Sequence, residues 1–149
     1  MMPIKFLLSF IISLAFTLLS LHTAHAANIT GAWKTIDDGT GKPRSIVRIS
    51  ESNGQFDGAI EKIFSEPNED PNPMCDKCQG ALKDQPILGM KIIHKMKKHE
   101  EEYKDGTIMD PDNGKIYKCK LWLEDSGKKL KVRGYIGPLF RTQTWLRAE

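Results

Sequence analysis

The last third of the chain alternates apolar and polar residues with a period of two, and this alternation constrains the fold more than any other feature. Residues 116–124 place four apolar side chains on one face: Tyr117, Cys119, Leu121 and Leu123. Residues 129–136 follow after a turn at 125–127, with Leu130 and Val132 on one face. A period of two is typical of strands that bury one side, so both segments are predicted to be β-strands.

Six further segments have strand character, and turn signals separate them. They are residues 29–35, 45–50, 55–64, 87–96, 107–109 and 142–147. Asn53-Gly54 and residues 110–114 are strong turn sequences, because Asn, Asp and Gly accept the backbone angles of tight turns. Eight short strands without a convincing amphipathic helix predict an all-β fold, either a barrel or a sandwich, and of the two we expect an eight-stranded antiparallel β-barrel. Such a barrel has room inside for side chains or for one small ligand.

Residues 1–26 have the features of a secretory signal peptide. Lys5 precedes an apolar stretch at residues 6–21, and the segment ends in Ala24-His25-Ala26, the small-x-small pattern of a cleavage site. The apolar stretch is short for a membrane span, which takes about 20 residues. We therefore predict cleavage after Ala26, a periplasmic or secreted product, and no transmembrane segment in the mature chain of residues 27–149.

The mature chain has the size of one domain and a nearly balanced charge. Lys5 is the one charged residue of the signal segment, so residues 27–149 carry 21 basic and 19 acidic side chains. Nucleic-acid binding requires a concentrated basic face, whereas the lysines at 91–98 are followed at once by glutamates at 100–102. We predict a single barrel domain that does not bind nucleic acid.

An unusually long loop, residues 65–86, holds four prolines and two of the three cysteines. Proline removes a backbone donor, so a central strand is excluded here. In an oxidising compartment we expect the cysteines to form a disulfide. The pairing stays open: Cys75 with Cys78, or either of them with Cys119, although Cys119 lies on the apolar face of its strand as a small buried residue would.

The same two cysteines begin a sequence that fits a zinc site. Cys75 and Cys78 are followed, after fifteen residues, by His94 and His99, which is the spacing of a site with two cysteines and two histidines. The context disfavours zinc, since His94 lies in a predicted strand and export favours disulfides over thiolates. Metal binding through these four residues is an alternative hypothesis, and no cofactor is predicted.

Pairs of acidic residues offer no convincing catalytic site. Asp37-Asp38 precedes a glycine, and Asp110 and Asp112 lie in the turn at residues 110–114. Aspartates in such positions bond to their own backbone and shape turns. We therefore predict no catalytic residues and no enzymatic activity.

Several motifs resemble a bacterial family catalogued as domain of unknown function 2147. They are Gly31-Ala-Trp-Lys-Thr, Cys75-x-x-Cys78 followed by Pro86-Ile-Leu-Gly89, residues 106–124, Leu130-Lys-Val-Arg-Gly-Tyr-Ile-Gly and Arg141-Thr-Gln-Thr-Trp. The resemblance covers essentially the whole mature chain. It implies an exported protein of a Gram-negative bacterium with a lipocalin-like, calycin-type barrel and no assigned activity. It also implies that Gly31, Trp33 and Arg147 plug one end of the barrel, with the guanidinium stacked on the indole.

The predicted fold indicates a class of function and does not indicate a particular ligand or reaction. The residues that we expect to line a ligand cavity are Tyr117, Leu121, Val132 and Tyr135 on inward faces, with Arg133 and Arg141 as candidates for binding a carboxylate or phosphate. The first hypothesis is a non-enzymatic periplasmic binding protein for a small apolar or amphipathic molecule or an envelope lipid. The second is a protein–protein interaction or enzyme-inhibitor module whose barrel is filled by side chains.

Overall fold

Eight antiparallel strands form a barrel in which every strand has two hydrogen-bonded neighbours. The computed structural model describes residues 27–149, so the predicted signal peptide, residues 1–26, lies outside the described residues. The strands are β1 Gly31–Ile36, β2 Pro43–Ser52, β3 Gln55–Ile63, β4 Lys91–His99, β5 Glu102–Asp110, β6 Lys115–Glu124, β7 Lys129–Ile136 and β8 Leu139–Arg147. Each strand pairs with the next, and β8 returns to pair with β1. The predicted fold class is therefore confirmed.

The strand boundaries match the sequence pattern best in β6 and β7. β4 begins later than predicted, because Ile87 donates its backbone N–H to Pro73 in the preceding loop. β5 is longer than the predicted 107–109, because its polar first half is held by backbone pairing to β4 and β6 and has no apolar alternation of its own. β8 begins earlier than predicted, directly after a tight turn at Gly137-Pro138.

The connections between strands are short except for one. Within residues 27–149 the helical elements are two three-residue 3₁₀ helices, Gly80–Leu82 and Asp125–Gly127. None of the described helices has the length and hydropathy to cross a bilayer. The long connection runs from β3 to β4 and carries Cys75 and Cys78.

The inward side chains of the strands pack into one apolar core. The register of β6 and β7 aligns Cys119 with Gly134 and Leu121 with Val132, so these four residues share the inner face. The largest fully buried side chains include Trp33, Trp145, Tyr103, Ile49, Ile93, Met96, Leu121 and Leu130. This core occupies the barrel interior and is the main source of its stability, since burial of apolar area contributes about 25 cal/mol per Å².

Trp33 and Arg147 close one end of the barrel, which we call the closed end. They are cross-strand partners on β1 and β8, and the guanidinium carbon lies 4.1 Å from the centroid of the indole ring. The guanidinium also donates hydrogen bonds to three carbonyl oxygens, those of Asn28 at 2.8 Å, Thr30 at 3.0 Å and Gly127 at 2.7 Å. Arg147 therefore ties the start of the described chain, the β6–β7 connection and the last strand together.

Gly31 and Ile29 complete this end of the barrel. Gly31 has a φ of +110°, and a Cβ atom there would lie 3.2 Å from Nη1 of Arg147. A larger residue would strain the backbone and crowd the guanidinium. The indole N–H of Trp33 donates to the carbonyl oxygen of Ile29 at 2.8 Å, so the buried nitrogen is satisfied.

The closed end supplies a test of stability. We expect Arg147→Gln to lower the free energy of unfolding by about 2–4 kcal/mol, because it removes the cation–π contact and leaves three carbonyl oxygens, two of them partly buried, with weaker donors or none. The measurement is urea unfolding followed by tryptophan fluorescence. Arg44→Gln, which removes an exposed arginine with ion pairs of 3.6 and 3.7 Å, is the matched control and should cost less than about 1 kcal/mol. Equal losses in the two variants would contradict a special role for Arg147.

Candidate functional site

A cleft lies at the opposite end of the barrel, which we call the open end. This end is formed by the connections β1–β2, β3–β4, β5–β6 and β7–β8. The cleft has a volume of about 500 Å³ and lies between the long β3–β4 connection and strands β5 to β7. Apolar and aromatic side chains make up most of its lining: Cys78, Gln79, Leu82, Met109, Gly114, Lys115, Ile116, Tyr117, Tyr135 and Ile136. We refer to it as the open-end cleft.

A disulfide shapes the loop wall of the cleft. The structure pairs Cys75 with Cys78, and Cys119 is the free cysteine of the described chain. The backbone N–H of Cys75 donates to Gln85 at 2.8 Å, and Sγ of Cys78 lies 3.9 Å from Sδ of Met109. Met109 follows the inward-facing Ile108, so its side chain lies on the outer face of β5. It is nevertheless only 1% exposed, because the loop covers this face.

Gly114 lets the loop approach the β5–β6 turn. It has a φ of +70°, and a Cβ atom there would lie 2.0 Å from the carbonyl oxygen of Lys77. Nζ of Lys77 donates in return to the carbonyl oxygen of Asp112 at 3.0 Å. Any side chain at position 114 would force the loop away from the turn and widen the cleft.

Ion pairs join β2 to the long connection and to the β5–β6 turn at the open end. Arg44, at the start of β2, lies 3.7 Å from Glu69 in the long connection and 3.6 Å from Asp112 in the β5–β6 turn. β2 and β5 are three strands apart in the barrel order, so these contacts join separate parts of the rim. Both pairs are exposed, and each contributes at most about 1 kcal/mol.

The inward residues predicted to contact a ligand divide between the core and the cleft. Leu121 and Val132 are cross-strand partners and are buried in the packed core, where they contact other side chains. Tyr117 lies on the same face near the open end and is half-buried. Its hydroxyl oxygen accepts a hydrogen bond from Nδ2 of Asn113 at 3.0 Å, and its ring lines the cleft.

The prediction that Tyr135 faces inward is wrong. Gly134 is the inward residue at that level, because it pairs with Cys119, so Tyr135 lies on the outer face opposite Lys118 and Phe140. It still reaches the outer edge of the open-end cleft. Arg133 also lies on the outer face and away from the barrel interior.

Arg141 lies on the rim, where it already has an acidic partner. Its Nε atom donates to Oδ2 of Asp38 at 3.0 Å, and the same oxygen accepts from Nε2 of Gln143 at 3.4 Å. Oε1 of Gln143 in turn accepts from the indole N–H of Trp145 at 3.2 Å. Asp38 stabilises the charged guanidinium and raises the pKa of Arg141. A ligand anion would have to displace Asp38 to reach this arginine.

The four residues of the zinc hypothesis are not brought together. Cys75 and Cys78 are joined in the disulfide, so their thiolates are not available as ligands. His99 is hydrogen-bonded instead to Oδ2 of Asp105, at 2.7 Å. Among residues 27–149 there is no group of three or more histidine, cysteine or acidic side chains arranged to hold a metal ion.

A second, smaller cleft of about 350 Å³ lies toward the closed end. Charged side chains of both signs line much of it: Lys98, Glu101, Glu102, Lys120 and Arg133, together with Ala27, Tyr103, Trp122 and Leu123. Nζ of Lys120 lies 2.9 Å from Oε1 of Glu102, and this contact lowers the pKa of the glutamate. Lys120 and Glu102 compensate each other, and charged side chains make up about half of the lining, so the open-end cleft is the better candidate for an apolar ligand.

The barrel topology and the plugged end define a lipocalin-like fold, and comparison with known proteins agrees. A solved structure, protein HP1028 from the human pathogen Helicobacter pylori, described as belonging to the lipocalin family, superposes with a TM-score of 0.68. The two sequences are 20% identical, and the match covers 83% of this chain and 84% of that one. At this identity the likeness shows the fold alone.

The sequence also matches a family model over residues 31–147, and the chain belongs to that family. Its description is an uncharacterized protein conserved in bacteria, domain of unknown function 2147. The resemblance drawn from the sequence motifs is therefore confirmed. A search of the curated proteins gave no match.

Eight of the ten lining residues of the cleft were not predicted as ligand contacts, and they include the apolar residues Leu82, Met109, Ile116 and Ile136. Leu82 belongs to a loop whose path no periodic pattern describes. Met109 and Ile116 lie on the outer face by alternation, which ordinarily means exposure to solvent. The strong turn sequence at residues 110–114, between Met109 and Ile116, places both residues at the same end of the barrel. It is the sequence signal that could have indicated their proximity.

The cysteine chemistry supplies a second test. Burial raises the pKa of the Cys119 thiol to about 12, so at about pH 8 only about 10⁻⁴ of it is thiolate. We expect Ellman's reagent to leave the native protein unmodified at that pH, to titrate one thiol per chain in denaturant, and to titrate three after reduction. Rapid reaction of the native protein, or no thiol in denaturant, would contradict the described pairing and burial.

Proposed function

We propose that this protein is an exported, non-enzymatic binding protein of the Gram-negative periplasm, and that it holds a small apolar or amphipathic molecule, such as an envelope lipid, in the open-end cleft. The observation that carries the proposal is the cleft itself. Its volume of about 500 Å³ lies within the range of about 300–1,000 Å³ that is usual for small-molecule sites. Its lining is largely apolar with a few polar groups at the edge, as such sites usually are.

The packed interior argues for binding at the rim of the barrel. Leu121, Leu130 and Trp145 are buried in the core, and a ligand could enter only by displacing them. Displacing well-packed core side chains costs several kcal/mol, whereas the open-end cleft is already formed. A ligand in the cleft would contact Leu82 on one side and Tyr117 and Tyr135 on the other.

The polar groups of the cleft favour an amphipathic ligand with an anionic or hydrogen-bonding head. Lys115 is exposed at the cleft edge, and Gln79 lies on the loop side. Lys115 lies opposite Asp110 in the β5–β6 ladder but forms no ion pair with it. Its ammonium group can therefore contact the head group of a ligand. Export is supported by the signal-like segment at residues 1–26 and fits a disulfide, which persists in oxidising compartments.

The packed interior also supports a second candidate, an interaction or inhibitor module whose barrel serves only as a scaffold. Native mass spectrometry of the processed protein, repeated under denaturing conditions, separates the two. An extra mass lost on denaturation supports ligand binding. A bare chain lighter by two hydrogens, for the disulfide, favours the scaffold.

A direct test uses sodium laurate as the probe in isothermal titration calorimetry with the processed protein. We expect saturable binding and a loss of at least about tenfold in affinity for Leu82→Asp, because the new carboxylate must be desolvated in an apolar cleft and repels the laurate head. Leu88→Asp makes the same change at an exposed leucine of the same loop, outside the cleft. It should bind as the wild type does.

Absence of laurate binding, or equal losses in the two variants, would contradict the cleft as the binding site. Thermal unfolding of each variant, followed by circular dichroism, shows whether a loss of binding comes from a loss of fold.

A further inference from the structure

An exposed apolar patch lies at the rim of the open end and includes both faces of the β7–β8 hairpin tip. It consists of Ile116 on β6 and Ile136, Leu139 and Phe140 on the β7–β8 hairpin, which are 62, 61, 69 and 58% exposed. Ile136 pairs with Leu139 across the tight turn, and Ile116 and Ile136 meet in the lining of the open-end cleft. We call these four residues the tip patch. Contiguous exposed apolar side chains of this kind commonly mark an interaction surface.

Basic residues predominate on the three strands that carry the tip patch. Strands β6, β7 and β8 together carry eight basic residues and a single acidic one, Glu124, which lies at the far end and pairs with Lys131 at 3.7 Å. Among the described residues, Lys115, Lys118 and Arg133 form no ion pair. These three cations are therefore available to an external anion.

Arg133 is held rigidly in this surface. Its guanidinium carbon lies 5.0 Å from the centroid of the Trp122 ring and 4.2 Å from that of Phe140. Nε donates to Oγ1 of Thr142 at 2.8 Å, which leaves both terminal nitrogens without a hydrogen-bond partner among the described residues. A guanidinium fixed in this way presents a preorganised donor pair that matches a phosphate.

The rest of the barrel has the opposite charge balance, since residues 31–112 carry 16 acidic and 12 basic side chains. Glu66 and Glu69 of the long connection lie beside Lys42 and Arg44 at the β2 side, and β2 is four strands from β6 in the barrel order. Two carboxylates of the open end are paired with arginines, Asp112 with Arg44 and Asp38 with Arg141, and Asp110 accepts hydrogen bonds within the β5–β6 turn. This asymmetry would orient the protein with the tip patch toward a negatively charged surface.

We propose that the tip patch and its flanking cations dock on the surface of an anionic lipid membrane. The patch projects from a hairpin tip, so its aliphatic side chains can enter the acyl boundary while Tyr135 and Phe140 lie at the headgroup level. Lys115, Lys118 and Arg133 meet the lipid phosphates. A symmetric contact with a second copy would bring these cations against one another, which disfavours self-association. The inference goes beyond the proposed function, because docking on the outer face does not require a ligand in the cleft.

The test is sedimentation with vesicles of phosphatidylglycerol and phosphatidylethanolamine, using processed protein because the signal segment would itself bind lipid. We expect binding that falls at least about tenfold from low to high salt and is absent with phosphatidylcholine vesicles. Leu139→Ser with Phe140→Ser should weaken it at least about tenfold. Leu88→Ser changes an exposed leucine outside the patch and should have no effect.

Three results would overturn the proposal: no binding to the anionic vesicles, equal binding by the patch variant and wild type, or dimerisation of the wild type that the patch variant abolishes. Laurate titration of the patch variant separates this proposal from the preceding one. Unchanged laurate affinity with lost vesicle binding supports membrane docking. Vesicle binding that persists in Leu82→Asp, together with lost laurate binding, supports docking and locates the laurate site in the cleft.

Discussion

The contact between Arg147 and Trp33 is the interaction on which the rest of the barrel depends. β1 and β8 pair at only two residue positions, fewer than any other pair of neighbouring strands, and we call this junction the seam. The guanidinium of Arg147 strengthens the seam through hydrogen bonds to three backbone carbonyls and through its contact with the indole ring. With the seam closed, every strand has two neighbours and the inward side chains enclose a continuous core. The four connections at the far end are then the parts of the barrel that remain free to form a site.

A packed interior moves the candidate site from the inside of the barrel to its rim. The disulfide loop folds outward over Met109 and forms one wall of the open-end cleft, while β6 and β7 form the other. The same rim passes without interruption into the tip patch and its cations. The proposed lipid-docking surface and the proposed ligand cleft are therefore neighbours, and Ile116 and Ile136 belong to both.

Much of the fold was predictable because alternation and turn residues report local structure directly. β6, β7 and the turn between them follow from the sequence pattern, and the Trp33–Arg147 plug follows from family resemblance. The polar first half of β5 was not predicted, because its side chains have no apolar alternation. It forms a strand through backbone pairing to β4 and β6. Tyr135 was assigned to the inner face although Gly134 already occupies that level. The cleft was missed because burial of Met109 depends on the path of a loop, which no local pattern encodes.

Binding at the rim is tested most directly by a chemical-shift titration of the isotope-labelled protein, without residues 1–26, with sodium laurate. We expect saturable shifts at Leu82, Ile116 and Ile136 in the open-end cleft, while the signals of the methyl groups of Leu121, Leu130 and Val132 stay unchanged. Largest shifts at those interior methyl groups would mean that the ligand enters the barrel, and would contradict the central claim that a packed barrel binds at its rim.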